Sequence, residues 1–394
     1  MVEITTAAIS LPSNFKFGAV SEIAPKLAAA AAPPPSLGPL AAFAGAFSGS
    51  GFNTIFRPDG PQSPTPLPVP VPTPPNDNVL ELNLTSETLT FSPSLGSVPN
   101  RGMVQGDIFL NGVPYLQAIN DVTIAGQSVG IHAEPGLWMI VPSTSEPKEV
   151  STLVRMASIP HGTTIVAQGT WTTTNGPPAI PGVDITPFFT KTGVKNTFPS
   201  QTAANKTTAR IPQDLTAWIS AGTITQAMLS DPNSVLRNHI AGQNITSTTT
   251  ISITTGPATP LFGGGADNIA FLLGDAAALT NPDGPGQNAQ SVLMKATFWI
   301  ETVEHTIIVP VFKPGQPPLT IDGETPKIPG QPVPKFIVSP PIEIPTPRPI
   351  TVTSTQIQYS QEVMLNFNTL TWPHVSVATL VPTNAIPVPP SVWG

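Results

Sequence analysis

The sequence predicts a mainly β protein, folded as an antiparallel barrel or sandwich. Three observations lead there. Apolar and polar residues alternate with a period of two in block after block. Proline supplies 51 of 394 residues, a density that leaves no room for long helices. Hydrophobic residues make up 40% and charged residues only 10%, enough to bury a large core and too little charge for an acidic disordered chain. Short strands at hairpin spacing, with Pro-rich excursions between them, pair antiparallel.

Taken in order, residues 1–36 form an extension in which "KLAAAAAPPP" holds at most one helical turn before the prolines stop it. In 40–58, Phe47, Gly49 and Gly51 share one strand parity and Phe52, Thr54 and Phe56 the other. "PQSPTPLPVPVPTPP" (61–75) is a polyproline stretch. Leu80, Leu82 and Leu84 mark the next strand. "MVQGDIFLNGVPYLQAINDVTI" then gives one or two strands with a turn at Asn111-Gly112. Strands follow near 129–134, 136–141, 151–158 and 163–171, broken by Pro135, Pro142, Pro147 and Pro160. Residues 174–222 look like an irregular insertion.

One short helix is expected in "TITQAMLSDPNSVLRNHIAGQ", with Asp231 as cap, Pro232 in the first turn and Gly242 as stop. "NITSTTTISITT" and "QSVLMKATFWIETVEHTIIVPVF" are strands, and 311–350 is a second Pro-rich segment. The chain closes with two strands around a turn at 368–371, the first carrying Ile357, Tyr359, Val363, Leu365 and Phe367 on one face. The reading is one domain over 37–382, with insertions at 61–75, 174–222 and 311–350, and a C-terminal tail at 383–394.

Composition narrows the function. A net charge of −7 without a basic patch disfavours nucleic acid. The absence of cysteine excludes disulfides, thiolate metal sites and cysteine nucleophiles. No run of about 18 apolar residues predicts a membrane helix. The first residues lack a basic segment followed by an apolar one, so a cytoplasmic location is expected.

Few residues are placed for chemistry. "GGGADN" (263–268) lacks the Lys-Ser/Thr ending of a phosphate loop and reads as a hairpin loop. His132 and Glu134 share a strand face: an acid–base couple, a metal pair, or a hydrogen-bonded support at a barrel rim, the last being the plainest. His161 reads as a turn residue, His239 as a surface helix residue and His305 as exposed. His374, in "TWPHVSVATL", lies in a strand with Trp372 on its face. An imidazole facing an apolar cavity is what haem or an apolar ligand would use. Parity leaves its direction open, because the Val375–Val377 face is equally apolar.

Several motifs resemble nitrobindin-like proteins of the calycin superfamily. "LAAFAGAFSGSGF" resembles their Gly-x-Trp-x-Gly-x-Gly opening through Gly45, Gly49 and Gly51, with Phe47 at the tryptophan. "IHAEPGLWMIVPS" is similar to their Leu-His-x-Glu-x-Gly-Phe-Trp strand pair through His132, Glu134, Gly136 and Trp138. "IPHGTTIVAQG" is similar to their His-Pro-Thr-Gly turn with His and Pro exchanged. "PHVSVATL" resembles the last strand that carries the proximal haem histidine. Longer stretches such as "RMASIPHGTTIVAQG" and "LNFNTLTWPHVSVATL" resemble bacterial and fungal proteins labelled haem-binding.

The resemblance implies an antiparallel calycin-like barrel binding haem b, with His374 as axial metal ligand and His161 as distal or alternative histidine. Arg57 and Arg155 would meet the propionates and Trp138 would belong to the site, with reaction toward nitric oxide or peroxynitrite. Two alternatives stay open. One is a haem-free isomerase or cyclase for an apolar small molecule, using His132 and Glu134. The other is a structural or assembly protein, such as a homo-oligomer.

Overall fold

The computed structural model describes residues 34–60, 64–71, 78–103, 105–146, 148–159, 162–256, 264–268, 289–326 and 331–393. The expectations for His161 and for residues 1–33 lie outside the described residues, as do those for part of 61–75.

Ten strands form the body: β1 (Gly45–Pro58), β2 (Asn78–Phe91), β3 (Ile108–Asp121), β4 (Val129–Val141) and β5 (Thr152–Ser158), then β6 (Thr163–Asn175), β7 (Asn244–Thr254), β8 (Gln290–Val309), β9 (Arg348–Phe367) and β10 (Leu370–Pro382). Each pairs antiparallel with the next in the chain, and β10 returns to β1. The result is a closed up-and-down barrel without a free edge among these ten strands. This is the expected fold class.

Two local expectations fail for steric reasons. Asn111-Gly112 is not a turn but the middle of β3. A Cβ on Gly112 would lie 2.2 Å from the Trp138 carbonyl oxygen, so the glycine serves close approach to β4. Pro135 does not divide β4. Pairing with β5 begins only at Gly136, so Pro135 occupies an edge-like position where a missing N–H costs little.

The insertion expected to be irregular holds a helix, α1 (Thr216–Ala221), and the single predicted helix is two: α2 (Gln226–Ser230) and α3 (Ser234–Ile240). Asp231 and Pro232 separate α2 from α3 instead of opening one helix. The Asp231 carboxylate accepts from the Val183 and Asn233 amides and pairs with Arg237. Gly242, at φ +79°, lies just beyond α3 as expected.

The insertion is packed, not loose. Ile185, Leu215, Ile224, Leu229 and Leu236 bury against the outward residues Phe52, Leu80, Leu82, Val375 and Val377 of β1, β2 and β10. The buried Arg210 organises it, its guanidinium donating to the carbonyls of Ser200, Thr202, Ala203, Asn205, Pro212 and Gln213. The second Pro-rich segment also folds. Leu319–Asp322 and Lys335–Val338 pair with each other, and Ile386–Pro387 of the tail joins them as a third strand around Phe336 and Val338.

Inside the barrel, one half is solid. Phe47, Phe91, Trp138, Phe298, Ile357 and Leu380 interdigitate there. A 3-10 turn at Gly38–Ala42 inserts Leu40 and brings Phe43 onto Phe91 at 4.5 Å, plugging that end. Trp138 and Phe298 are 2% and 5% exposed, as their strand parity predicts.

Candidate functional site

At the other end the inward residues leave a cup of about 510 Å³, lying at the C-terminal ends of β1, β3 and β9 and the N-terminal ends of β2, β4 and β10. Ile55, Ile119, Ile131, Val363 and Leu365 supply apolar wall. Asn53, Asn83, Gln117, Gln361 and Asn268 bring five carboxamides. His132, Tyr359, His374, Ser376 and Ser291 add ring and hydroxyl groups, and Arg57 and Glu81 stand on the wall as an ion pair at 3.4 Å. The cavity is therefore mixed and not the apolar one expected around a lone imidazole.

His374 lines this cup. Its Nε2 accepts from the Asn53 amide nitrogen at 2.8 Å, since an amide nitrogen only donates. The same nitrogen donates to Ser376 Oγ at 2.7 Å, and Asn53 Oδ1 accepts from Asn83 at 3.3 Å. Trp372 is not beside it, contrary to the parity expectation. Trp372 packs with Phe56, Phe198 and Phe367 in the outer cluster shared with Val375 and Val377.

Beneath the cup lies a buried polar layer. Glu134 accepts from Tyr115 and from Arg155, and its other oxygen meets His132 Nε2 at 3.1 Å. Arg155 also donates to Tyr115 at 2.8 Å and to Gln361 at 2.8 Å, and its guanidinium lies 5.3 Å from the Phe298 ring centroid. Gly136 makes room for this arrangement, because a Cβ there would fall 2.4 Å from the Tyr115 ring. Burial alone would raise the Glu134 carboxyl, but the Arg155 charge and the His132 hydrogen bond outweigh it and hold it at about 2.

The second buried carboxyl, Glu87, is held by neutral hydrogen-bond donors among the described residues. Tyr359 donates to it at 2.6 Å, Thr85 at 2.8 Å and Gln117 at 3.4 Å. Desolvation raises its pKa above the ordinary range despite those bonds.

The residues singled out in the sequence thus divide. His132, His374 and Arg57 line the cup. Glu134 and Arg155 lie in the layer below it, locked to each other. Trp138 lies in the solid half, in edge contact with Phe298 at 5.2 Å. His305 is buried, not exposed, bonded to Ser354 at 2.8 Å under Phe336. Of "GGGADN", read as a hairpin loop, Gly263 lies outside the described residues and Gly265–Asn268 is a strand that pairs with β6; Asn268 ties to the Ser291 backbone and lines the cup. Among the described residues no group of three metal-ligating side chains is gathered.

Asn53, Asn83, Gln117, Tyr359, Gln361 and Glu87 were missed by the sequence reading. A signal for them existed. Asn53 continues the parity of Gly49 and Gly51, and Gln361 that of Ile357 and Tyr359, so polar residues interrupt faces that are otherwise small or apolar.

Fold and site define a class, a closed antiparallel barrel with a blind, hydrogen-bonding cup at one end. The chain matches no protein-family model, no curated protein and no solved structure.

Proposed function

We propose that the protein binds a small organic molecule in the cup. The observation that carries this is the cup itself: about 510 Å³ of space within a barrel whose other half is filled to the base, with apolar wall and convergent polar groups. That is the usual construction of a ligand site. The ligand it suits is uncharged, since the wall's one described cation, Arg57, is paired with Glu81. The test is saturation-transfer NMR with uncharged carbonyl and hydroxyl fragments, on the parent and on Val363→Trp, which fills the cup. Transfer in the parent and its loss in the variant is the expected result. Equal transfer in both, or none in the parent, overturns the reading.

A second reading, haem b ligated by His374, is favoured by the ring's position on the cup wall. The donor set fits it poorly. Nε2 is engaged by Asn53, and Arg155 is already spent on Glu134, Tyr115 and Gln361. Titration with hemin decides it. A Soret shift lost in His374→Ala supports ligation, and an unchanged spectrum rejects it. Nitrobindin-like chemistry stands or falls with that titration.

A further inference from the structure

We propose that the cup selects one class of uncharged ligand, a ring amide that offers both an N–H and a carbonyl, as a lactam or cyclic urea does; this rests on the cup being a ligand site. What decides the class is which end of each carboxamide the protein leaves unused. An amide nitrogen only donates and an amide oxygen only accepts, so the partner at one end settles what the other end presents.

Five carboxamides line the cup. Two have both ends engaged. The Asn53 nitrogen donates to His374 and Ser376, and its oxygen accepts from Asn83. Asn268 donates to the Ser291 carbonyl at 3.0 Å and accepts from the Ser291 amide at 2.9 Å.

The other three are held by one end. Arg155, which can only donate, holds Gln361 Oε1 at 2.8 Å. Gln361 Nε2, with its two N–H groups, has no hydrogen bond among the described residues. Gln117 is held the opposite way. Its Nε2 donates to the Tyr359 oxygen at 3.2 Å and to Glu87 Oε2 at 3.4 Å. The Tyr359 proton goes to Glu87 at 2.6 Å, so the phenol oxygen accepts from Gln117. Gln117 Oε1 has no hydrogen bond among the described residues. Asn83 repeats this pattern, donating to Asn53 Oδ1 at 3.3 Å and to Glu81 at 3.5 Å, with Oδ1 left over. All three unused ends remain accessible within residues that line the cup.

The cup thus presents one donor end and two acceptor ends of fixed polarity. Gln361 lies two residues beyond Tyr359 on one face of β9, about 7 Å along the strand. Gln117 reaches the Tyr359 oxygen from β3, so donor and acceptor stand near each other beside the buried layer. Their anchors strengthen them. A guanidinium pulling on the Gln361 oxygen makes its N–H groups better donors, and two acceptors on the Gln117 nitrogen make its oxygen a better acceptor. Gln361, Gln117 and Asn83 are 9%, 6% and 3% exposed, so an occupant strips water from these ends. An occupant with a carbonyl for Gln361 and an N–H for Gln117 restores every bond. One lacking the N–H leaves a desolvated acceptor unpaired. The apolar wall of Ile55, Ile119, Ile131, Val363 and Leu365 takes the hydrocarbon part of the ring.

The test uses the full chain and dissociation constants from ligand-observed NMR titration, with ε-caprolactam and cycloheptanone as probes. The rings have the same size and the same carbonyl, and only the lactam has an N–H. Lactam binding about 10-fold tighter than ketone binding is expected, the discrimination of a site built to bond an N–H. In Gln117→Met the ratio should fall to about one. Packing damage would instead weaken both rings and keep the ratio. Gln361→Glu keeps an oxygen on Arg155 and turns the donor into an acceptor, and both rings should weaken about 10-fold. Thermal midpoints show whether each variant is folded, and Gln361→Glu carries the test if Gln117→Met is not. Equal binding of the two rings by the parent overturns the ligand class and leaves the site standing, as does binding of other uncharged fragments but of neither ring. A lactam preference kept in Gln117→Met, or lactam binding unchanged in Gln361→Glu, overturns it as well. If no uncharged fragment binds, the ligand site falls, and this inference with it.

Discussion

Arg155 is 2% exposed and makes every one of its contacts inside the barrel. A buried cation is tolerable only with a partner. Arg155→Met would leave the Glu134 carboxylate buried with Tyr115 and His132 but without the guanidinium. A loss of about 3–5 kcal/mol in denaturant unfolding is expected, in line with breaking a buried pair from one side. Arg155→Met with Glu134→Gln should recover part of it, and a double variant weaker than the single one would refute the pairing argument. Glu301 shows the opposite sign. It is 1% exposed, accepts from Gln356 at 2.6 Å, and has one oxygen without a partner. Burial raises its pKa to about 8. Between its ordinary value near 4.3 and about 8 the unfolded chain has lost the proton and the folded one has not, so its contribution falls as pH rises through that window. Glu301→Gln should remove a slope of at most about 1.4 kcal/mol per pH unit there. Urea midpoints of parent and variant at pH 5, 6.5 and 8 measure it, and parallel curves would exclude the titration.

At the scale of the element, the turn between β9 and β10 carries backbone strain. Asn368 and Thr369 both have positive φ, +48° and +64°. This is the two-residue hairpin geometry that favours Asn-Gly, and the sequence has Asn-Thr. A β-branched residue is poorly suited to that region. Thr369→Gly should therefore stabilise the protein by about 0.5–1 kcal/mol, seen as a higher thermal midpoint, whereas a fall would mean that the threonine side chain is held by its surroundings. The position of this turn was legible, as were the ten barrel strands, because alternation survives wherever one strand face is buried. The interruptions were misread. Gly112 is set by a β4 carbonyl, Pro135 by where β5 begins, and the folded insertions by apolar residues too irregularly spaced to show a period. The cup was half legible. His132 and His374 stand out as rare residue types. The carboxamides and Glu87 do not, since their role comes from facing one another across strands far apart in the chain.

Over the whole molecule, three buried clusters divide the labour. The barrel core and the cluster under the insertion share strands β1, β2, β8, β9 and β10, so they cannot come apart without opening the barrel wall. Among the described residues, the third cluster takes in Ile307, Val309, Ile350 and Val352, at the ends of β8 and β9. Its sheet has two four-residue strands and one of two residues. Small elements with few long-range pairings open at lower free energy than the body they lean on. Phe336, 1% exposed, is a large side chain of this cluster and lies against the His305 ring at 5.6 Å. Phe336→Ala should cost this sheet about 3–5 kcal/mol, the usual penalty for emptying a buried aromatic site. Amide exchange should then quicken at Leu319–Asp322 and Lys335–Val338 while β2 to β6 keep their protection. Ligand binding in the cup should also be unchanged, because the described cup residues belong to the barrel strands and to segments beside them, and none to this sheet. Quickened exchange throughout the barrel, or a lost ligand signal, would show instead that the small sheet is part of the same cooperative unit and that its Pro-rich segment is needed to hold the barrel closed.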